Sequence, residues 1–284
     1  MSDPLDRIAA ALDRLAPPAH GAADPLTHPA YVWRGDGLGA ARQFAPLPLA
    51  MLHGIDRQKA ALVVNLDRLA AGHAAQDVLL WGARGTGKSA LVKSAIAAVQ
   101  ARGGDIALVE LVGARLDSLP ALFDAIAPVK RAFALFIDDL GFDAASDARA
   151  LRSMLEGGAE ARPANARLLV TSNRRHLVPR DIAEQGFAAN SSLPGASYSR
   201  ETAINPRDAV DDHLALADRF GLSLGFHVVD QDGYLAIVRG YAEAHDLTFD
   251  PHEALEWATR RGSRSGRVAW QYLVDLAGRS GKSV

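Results

Sequence analysis

A chain of 284 residues, 49% hydrophobic and 23% charged, can bury one large core or a main domain with a smaller one attached. Its formal net charge of -2 gives no overall electrostatic footprint for DNA, RNA or an anionic membrane, although a local patch can hide in that balance. The absence of cysteine excludes disulfides and cysteine-based metal sites or catalysis, and no apolar run approaches the roughly eighteen residues that a membrane-spanning helix needs.

The first residues carry Asp3, Asp6 and Asp13 where a signal peptide would be apolar, so a cytoplasmic location is expected. They read as a short amphipathic helix, with Asp3 as N-cap, Pro4 at the first helical position, and Leu5, Ile8, Leu12 and Leu15 on one face. Residues 17–29 are rich in Pro, Ala, Gly and His and read as a linker, so 1–30 stand apart. A helix is expected over 56–71. Four short apolar strands follow at 78–81, 106–112, 133–137 and 167–171, with helical stretches between them at 89–102, 118–129 and 145–160. A fifth strand is expected at 222–229. Apolar strands alternating with helices predict an α/β fold, a parallel five-stranded sheet covered on both faces. The Ser-, Ala- and Asn-rich stretch 184–206 reads as a long loop. Beyond Asp230 the pattern turns to three helices near 231–245, 251–261 and 266–279, which gives domains at 31–229 and 230–284.

The string Gly82-Ala83-Arg84-Gly85-Thr86-Gly87-Lys88-Ser89 fits G-x-x-x-x-G-K-[ST] at every fixed position. Glycines let successive N–H groups turn toward phosphates, and the helix that follows presents its positive end. Lys88 would reach the β- and γ-phosphates and the Ser89 hydroxyl would hold Mg²⁺, with contacts running on to Ala90. An apolar strand leads into the match and a helix leaves it, so ATP or GTP binding is expected. About fifty residues on, the strand 133–137 ends in Asp138 and Asp139. Beside a phosphate loop, Asp138 would hold Mg²⁺ through its water shell, and Asp139 could orient or deprotonate an attacking water. Alone, the pair would read as solvated turn residues. Asn173 ends the strand 167–171 and could aim its amide at the γ-phosphate or the water, or simply cap a turn. The histidines other than His53 and His176 lack metal-ligand spacing and read as structural.

Together these motifs resemble the AAA+ ATPases. The strings LHGIDRQK, GARGTGKSALVKS, IDDLGFD, TSNRRHLVPRD, DRFGLSLGF and SGRVAWQYL look like an uncharacterised family of bacterial predicted AAA+ ATPases, from about Tyr31 to the C-terminus. The resemblance implies a P-loop AAA+ domain followed by an all-helical lid, ATP and Mg²⁺ as ligands, and a homo-oligomer acting on a protein or nucleic-acid partner. It places Asn173 as first sensor, Arg267 as second sensor (with Arg264 at similar spacing), and the run Leu52, His53, Gly54 and Ile55 at the adenine pocket. Arg219 falls where initiator-type members carry an arginine finger that serves the neighbouring subunit. Arg174, Arg175 and His176 could touch a partner, or form surface ion pairs of little energy. Many motors of the superfamily carry Glu where this chain has Asp139, which favours a slow switch. An adaptor or loader that hydrolyses little is the alternative. A small-molecule kinase would share the loop but lack the Asn sensor and the helical lid.

Overall fold

The computed structural model describes residues 23–114, 116–140, 151, 154–155, 162–173 and 218–284. The N-terminal helix, the long loop 184–206 and the trio Arg174, Arg175 and His176 lie outside those residues. Of the helix expected over 145–160, Leu151, Met154 and Leu155 are described, and all three are helical.

Seven strands form one sheet among the described residues: β1 (Ala30–Trp33), β2 (Leu38–Ala40), β3 (Val78–Gly82), β4 (Ile106–Leu111), β5 (Ala132–Ile137), β6 (Ala166–Ser172) and β7 (Leu222–Phe226). Their order is β2-β1-β4-β5-β6-β3-β7. The five expected strands are all present and mutually parallel. The expected count of five was short by two, because β1 joins the sheet parallel to β4 and β2 folds back antiparallel on β1. The ends of the five expected strands match their expected bounds to within one residue, except that β7 stops at Phe226 and not at 229.

The strands are short apolar runs because both faces are covered. Along β5, Phe133, Leu135 and Ile137 enter one core, while Ala132, Ala134 and Phe136 enter the other. This is the period of two that a strand imposes on its side chains. One face packs α3 (Leu119–Ile126) through Leu119, Leu122, Phe123 and Ile126. The opposite face packs α1 (Asp56–Ala70) and α2 (Lys88–Ala101), whose Leu62, Leu66, Leu91, Ala95 and Ile96 are fully buried.

The C-terminal region is helical: α4 (Gln231–Ala244), α5 (Pro251–Arg260) and α6 (Gly266–Arg279). Each has a side-chain N-cap, in order Asp230, Asp250 and Ser265, accepting a backbone N–H of its first turn. Their buried faces, with Tyr234, Val238, Tyr272 and Leu273 at the centre, make a third core. The short 3-10 turn Leu49–Met51 touches both α2 and α4. Leu47, just before it, packs against both the sheet core and the helical core.

Candidate functional site

Because β3 to β7 are mutually parallel, their C-terminal ends share one edge of the sheet, where ligands of open α/β folds collect. The turns leaving β3, β5, β6 and β7 open there into a cleft of about 560 Å³, roofed by α4 and the start of α6.

The loop from β3 to α2 forms its floor. Gly82 has φ 128, and a Cβ there would stand 2.0 Å from the carbonyl oxygen of Phe226 on β7, so no other residue fits. Gly85 and Gly87 also have positive φ, at 80 and 93, and Gly87 opens α2 in the left-handed conformation. A Cβ on Gly85 would meet the Ser265 hydroxyl at 2.9 Å, so the cap of α6 sits directly against this loop.

Lys88 is 6% exposed. Its ammonium donates to the carbonyls of Gly82 and Ala83, at 2.9 and 2.8 Å, and to Asn173 Oδ1 at 3.0 Å. Burial lowers its pKa below the ordinary lysine value, against the pull of Asp139 and Asp138; Arg267 lowers it further. Ser89 Oγ donates to Asp138 Oδ1 at 2.6 Å. Asn173 donates its amide to Asp139 Oδ1, so a single side chain links the lysine to the second acid. Asp139 has φ 54, a left-handed conformation that aspartate tolerates better than most residues. That backbone constraint is a local reason for the shorter acid at this position.

The structure therefore brings together Arg84, Gly85, Thr86, Gly87, Lys88, Ser89, Ala90, Asp138, Asp139, Asn173, Ile55 and Arg267, all of which line the cleft. Gly82 and Ala83 contribute through the carbonyls that hold Lys88. Arg267, in the first turn of α6, faces the cleft, whereas Arg264 is exposed and does not line it. Arg219 is not brought in. Leu222 pairs with Val78 and Phe226 with Gly82, so β7 alone puts about 13 Å between its entry and the loop, at roughly 3.3 Å per residue. Arg219 precedes that entry, where the carbonyl of Asp77 accepts from Leu222 N at 3.2 Å. Asp77 is buried against Arg162 at 2.6 Å, and burial raises its pKa.

Three parts of the cleft were not foreseen. Thr171 reaches its floor, bonded to both acids. An apolar end is formed by Leu47, Met51, Val229, Ile237, Tyr241 and Trp270. His227, read from sequence as structural, also lines it, along with Leu52, His53 and Gly54 of the expected adenine-pocket run. Trp270 had a signal, since it lies three residues after Arg267 and so on the same helical face.

Chemically, a glycine-rich turn, a helix N-terminus, Lys88 and Arg267 suit a phosphate chain. The hydroxyl of Ser89 and the carboxylate of Asp138 are hard oxygen donors that fit Mg²⁺. The apolar end suits a flat ring. No group of three or more His, Cys, Asp or Glu that could hold a metal by itself occurs among the described residues. Nor is any described helix long and apolar enough to cross a membrane.

The family model described as Protein of unknown function (DUF815) matches residues 26–280. Among solved structures, the chain is similar to the Aeropyrum pernix Orc1 protein in complex with DNA, at 16% identity and a TM-score of 0.52, over 82% of this chain and 65% of that one. It is also similar to the Thermotoga maritima RuvB Holliday junction branch migration motor, at 20% identity and a TM-score of 0.47, over 80% of this chain and 63% of that one. Domain III of the Thermotoga maritima replication initiation protein DnaA matches at 15% identity and a TM-score of 0.48, over 84% of this chain and 91% of that one. The chain thus spans less than two thirds of the Orc1 and RuvB chains. At such identities the likeness is one of fold, and the fold is that of the AAA+ P-loop ATPases. No curated protein matches the sequence.

Proposed function

The chain belongs to the DUF815 family, and we propose that it is a cytoplasmic AAA+ ATPase that binds ATP with Mg²⁺ and hydrolyses it slowly between the subunits of a homo-oligomer. The turnover would switch or remodel a macromolecular partner. The observation that carries this reading is the convergence on Lys88: one buried ammonium, held by the phosphate loop and by Asn173, in the cleft that also contains Ser89 and Asp138. In this proposal 31–229 form the nucleotide-binding domain and 230–284 the lid, which the separate core of α4–α6 supports.

Phosphates entering the loop would draw Lys88 from the Gly82 and Ala83 carbonyls onto the β- and γ-oxygens. Ser89 and Asp138 would hold Mg²⁺, which supplies charge neutralisation between those phosphates. Asn173 orients the attacking water beside Asp139. The water oxygen bonds to the γ-phosphorus as the bond to the β,γ-bridging oxygen breaks, and Asp139 takes the water proton. Arg267 reports phosphate occupancy to the lid, and Ile55 with the apolar end receives the adenine. Arg219 serves the site of the next subunit, a role supported by its distance from its own loop. The short side chain of Asp139, set by its left-handed backbone, limits the rate.

Calorimetry with ATP and Mg²⁺, paired with phosphate release, tests this. Lys88→Ala should lose nucleotide binding, and Asp139→Asn should keep it while turnover falls about 100-fold or more. Unchanged binding by Lys88→Ala would sink the reading.

A second reading, a nucleotide-gated adaptor that hydrolyses little and docks nucleic acid, is favoured by one stretch. Residues 257–274 contain Arg260, Arg261, Arg264 and Arg267 and no Asp or Glu. Arg260 and Arg261 lie over the Trp257 ring, at 5.8 and 4.8 Å. Turnover that is insensitive to single-stranded DNA, with no DNA binding in the presence of ATP, would remove it.

A further inference from the structure

We propose that Thr171 is a positioning residue that sets the Asp138 side chain and the Asp139 backbone through one hydroxyl, an inference that rests on the nucleotide reading and deepens it. Thr171 is 1% exposed, near the end of β6. A hydroxyl buried there would be costly unless fully bonded. Both of its capacities are used: Thr171 Oγ1 donates to Asp138 Oδ1 at 2.6 Å and accepts from the Asp139 backbone N–H at 2.8 Å. The Thr171 carbonyl also accepts from Leu140 N at 2.9 Å. The turn after β5 is thereby pinned to β6 at consecutive positions, and this clamp holds Asp139 at φ 54.

The division of labour at Asp138 follows from burial. Its Oδ1 receives two hydroxyls, Ser89 and Thr171, each at 2.6 Å. Ser89 is half-exposed in the first turn of α2 and faces the cleft, so it is the hydroxyl that would be given over to Mg²⁺. Thr171 is locked in the sheet and stays. It keeps one carboxylate oxygen engaged, which leaves the other for the metal and fixes the plane of the group. Partners of this kind orient ligands and are worth about 10- to 100-fold in metal affinity or activity.

The decisive experiment measures nucleotide affinity across a Mg²⁺ titration for the full chain, Thr171→Val and Thr171→Ser, with turnover and thermal melting alongside. Thr171→Val should raise the Mg²⁺ concentration for half-maximal effect about 10- to 100-fold and lower kcat, while affinity for Mg²⁺-free ATP stays within about twofold. Thr171→Ser, which keeps the hydroxyl, should restore the wild-type Mg²⁺ requirement. A wild-type requirement in Thr171→Val, or an equal loss of affinity with and without Mg²⁺, would overturn the clamp and leave the nucleotide reading standing. If Thr171→Val does not fold, the same titration on Thr171→Ala decides. If the unmodified chain shows no Mg²⁺-dependent nucleotide binding, the nucleotide reading fails and the clamp with it.

Discussion

Lys88 shows how one residue ties burial to chemistry. Burial lowers its pKa, so in the ligand-free protein it loses its proton at a lower pH than a surface lysine does. Phosphate binding needs the charged form. Nucleotide affinity should therefore decline as pH rises through that lowered pKa, below the ordinary 10.5. The effect on stability has the opposite sign, because in that window the unfolded chain holds the proton that the folded one has released, so this group's contribution to stability rises with pH. Calorimetry from neutral to alkaline pH checks the first statement; a flat affinity through the whole range would contradict it. Lys88 and Ser89 were legible in sequence as fixed positions of one motif, Asp138 because it ends an apolar strand beside that motif, and Asn173 through the family resemblance. Thr171 was not, since a β-branched residue in a strand is ordinary on pattern alone. The apolar end was hidden for a similar reason. Met51, Val229 and Ile237 look like core residues, and part of each does face a core.

Among the elements, α5 and α6 form a natural contrast. Both begin with a capping side chain, but Asp250 is exposed while Ser265 is 4% exposed and stands against Gly85. Removing either cap by substitution to alanine should lower stability by about 1 kcal/mol, read by urea unfolding. Only Ser265→Ala should also weaken nucleotide binding, because its hydroxyl meets both the helix and the phosphate loop. Equal nucleotide affinity in the two variants would separate the cap from the site. Strands β3, β4, β5 and β6 could be read from sequence because burial on both faces makes them nearly continuous apolar runs. The pair β1 and β2 has four and three residues, one on each side of the turn around Gly35 and Gly37, and so presents no run long enough to stand out. Their pairing is decided by the exposed edge of β4, a tertiary fact.

For the whole molecule, the placement of Arg219 at the opposite end of β7 from the phosphate loop decides how subunits would cooperate. If Arg219 serves the next subunit as proposed, a chain lacking it keeps a complete cleft, and a chain lacking Lys88 keeps Arg219. Mixing Arg219→Ala with Lys88→Ala, each inactive alone, should therefore restore measurable phosphate release, reaching a maximum at intermediate ratios. Additive, near-zero activity at every ratio would exclude action across subunits. The turn Leu49–Met51, preceded by Leu47 in both cores, adds a mechanical constraint of its own. It works as a tendon between sheet and bundle, anchored at both ends beside the apolar wall of the cleft. A tilt of the bundle would pull on that wall directly, so a seated ring would stiffen the joint, and an empty one would leave it slack.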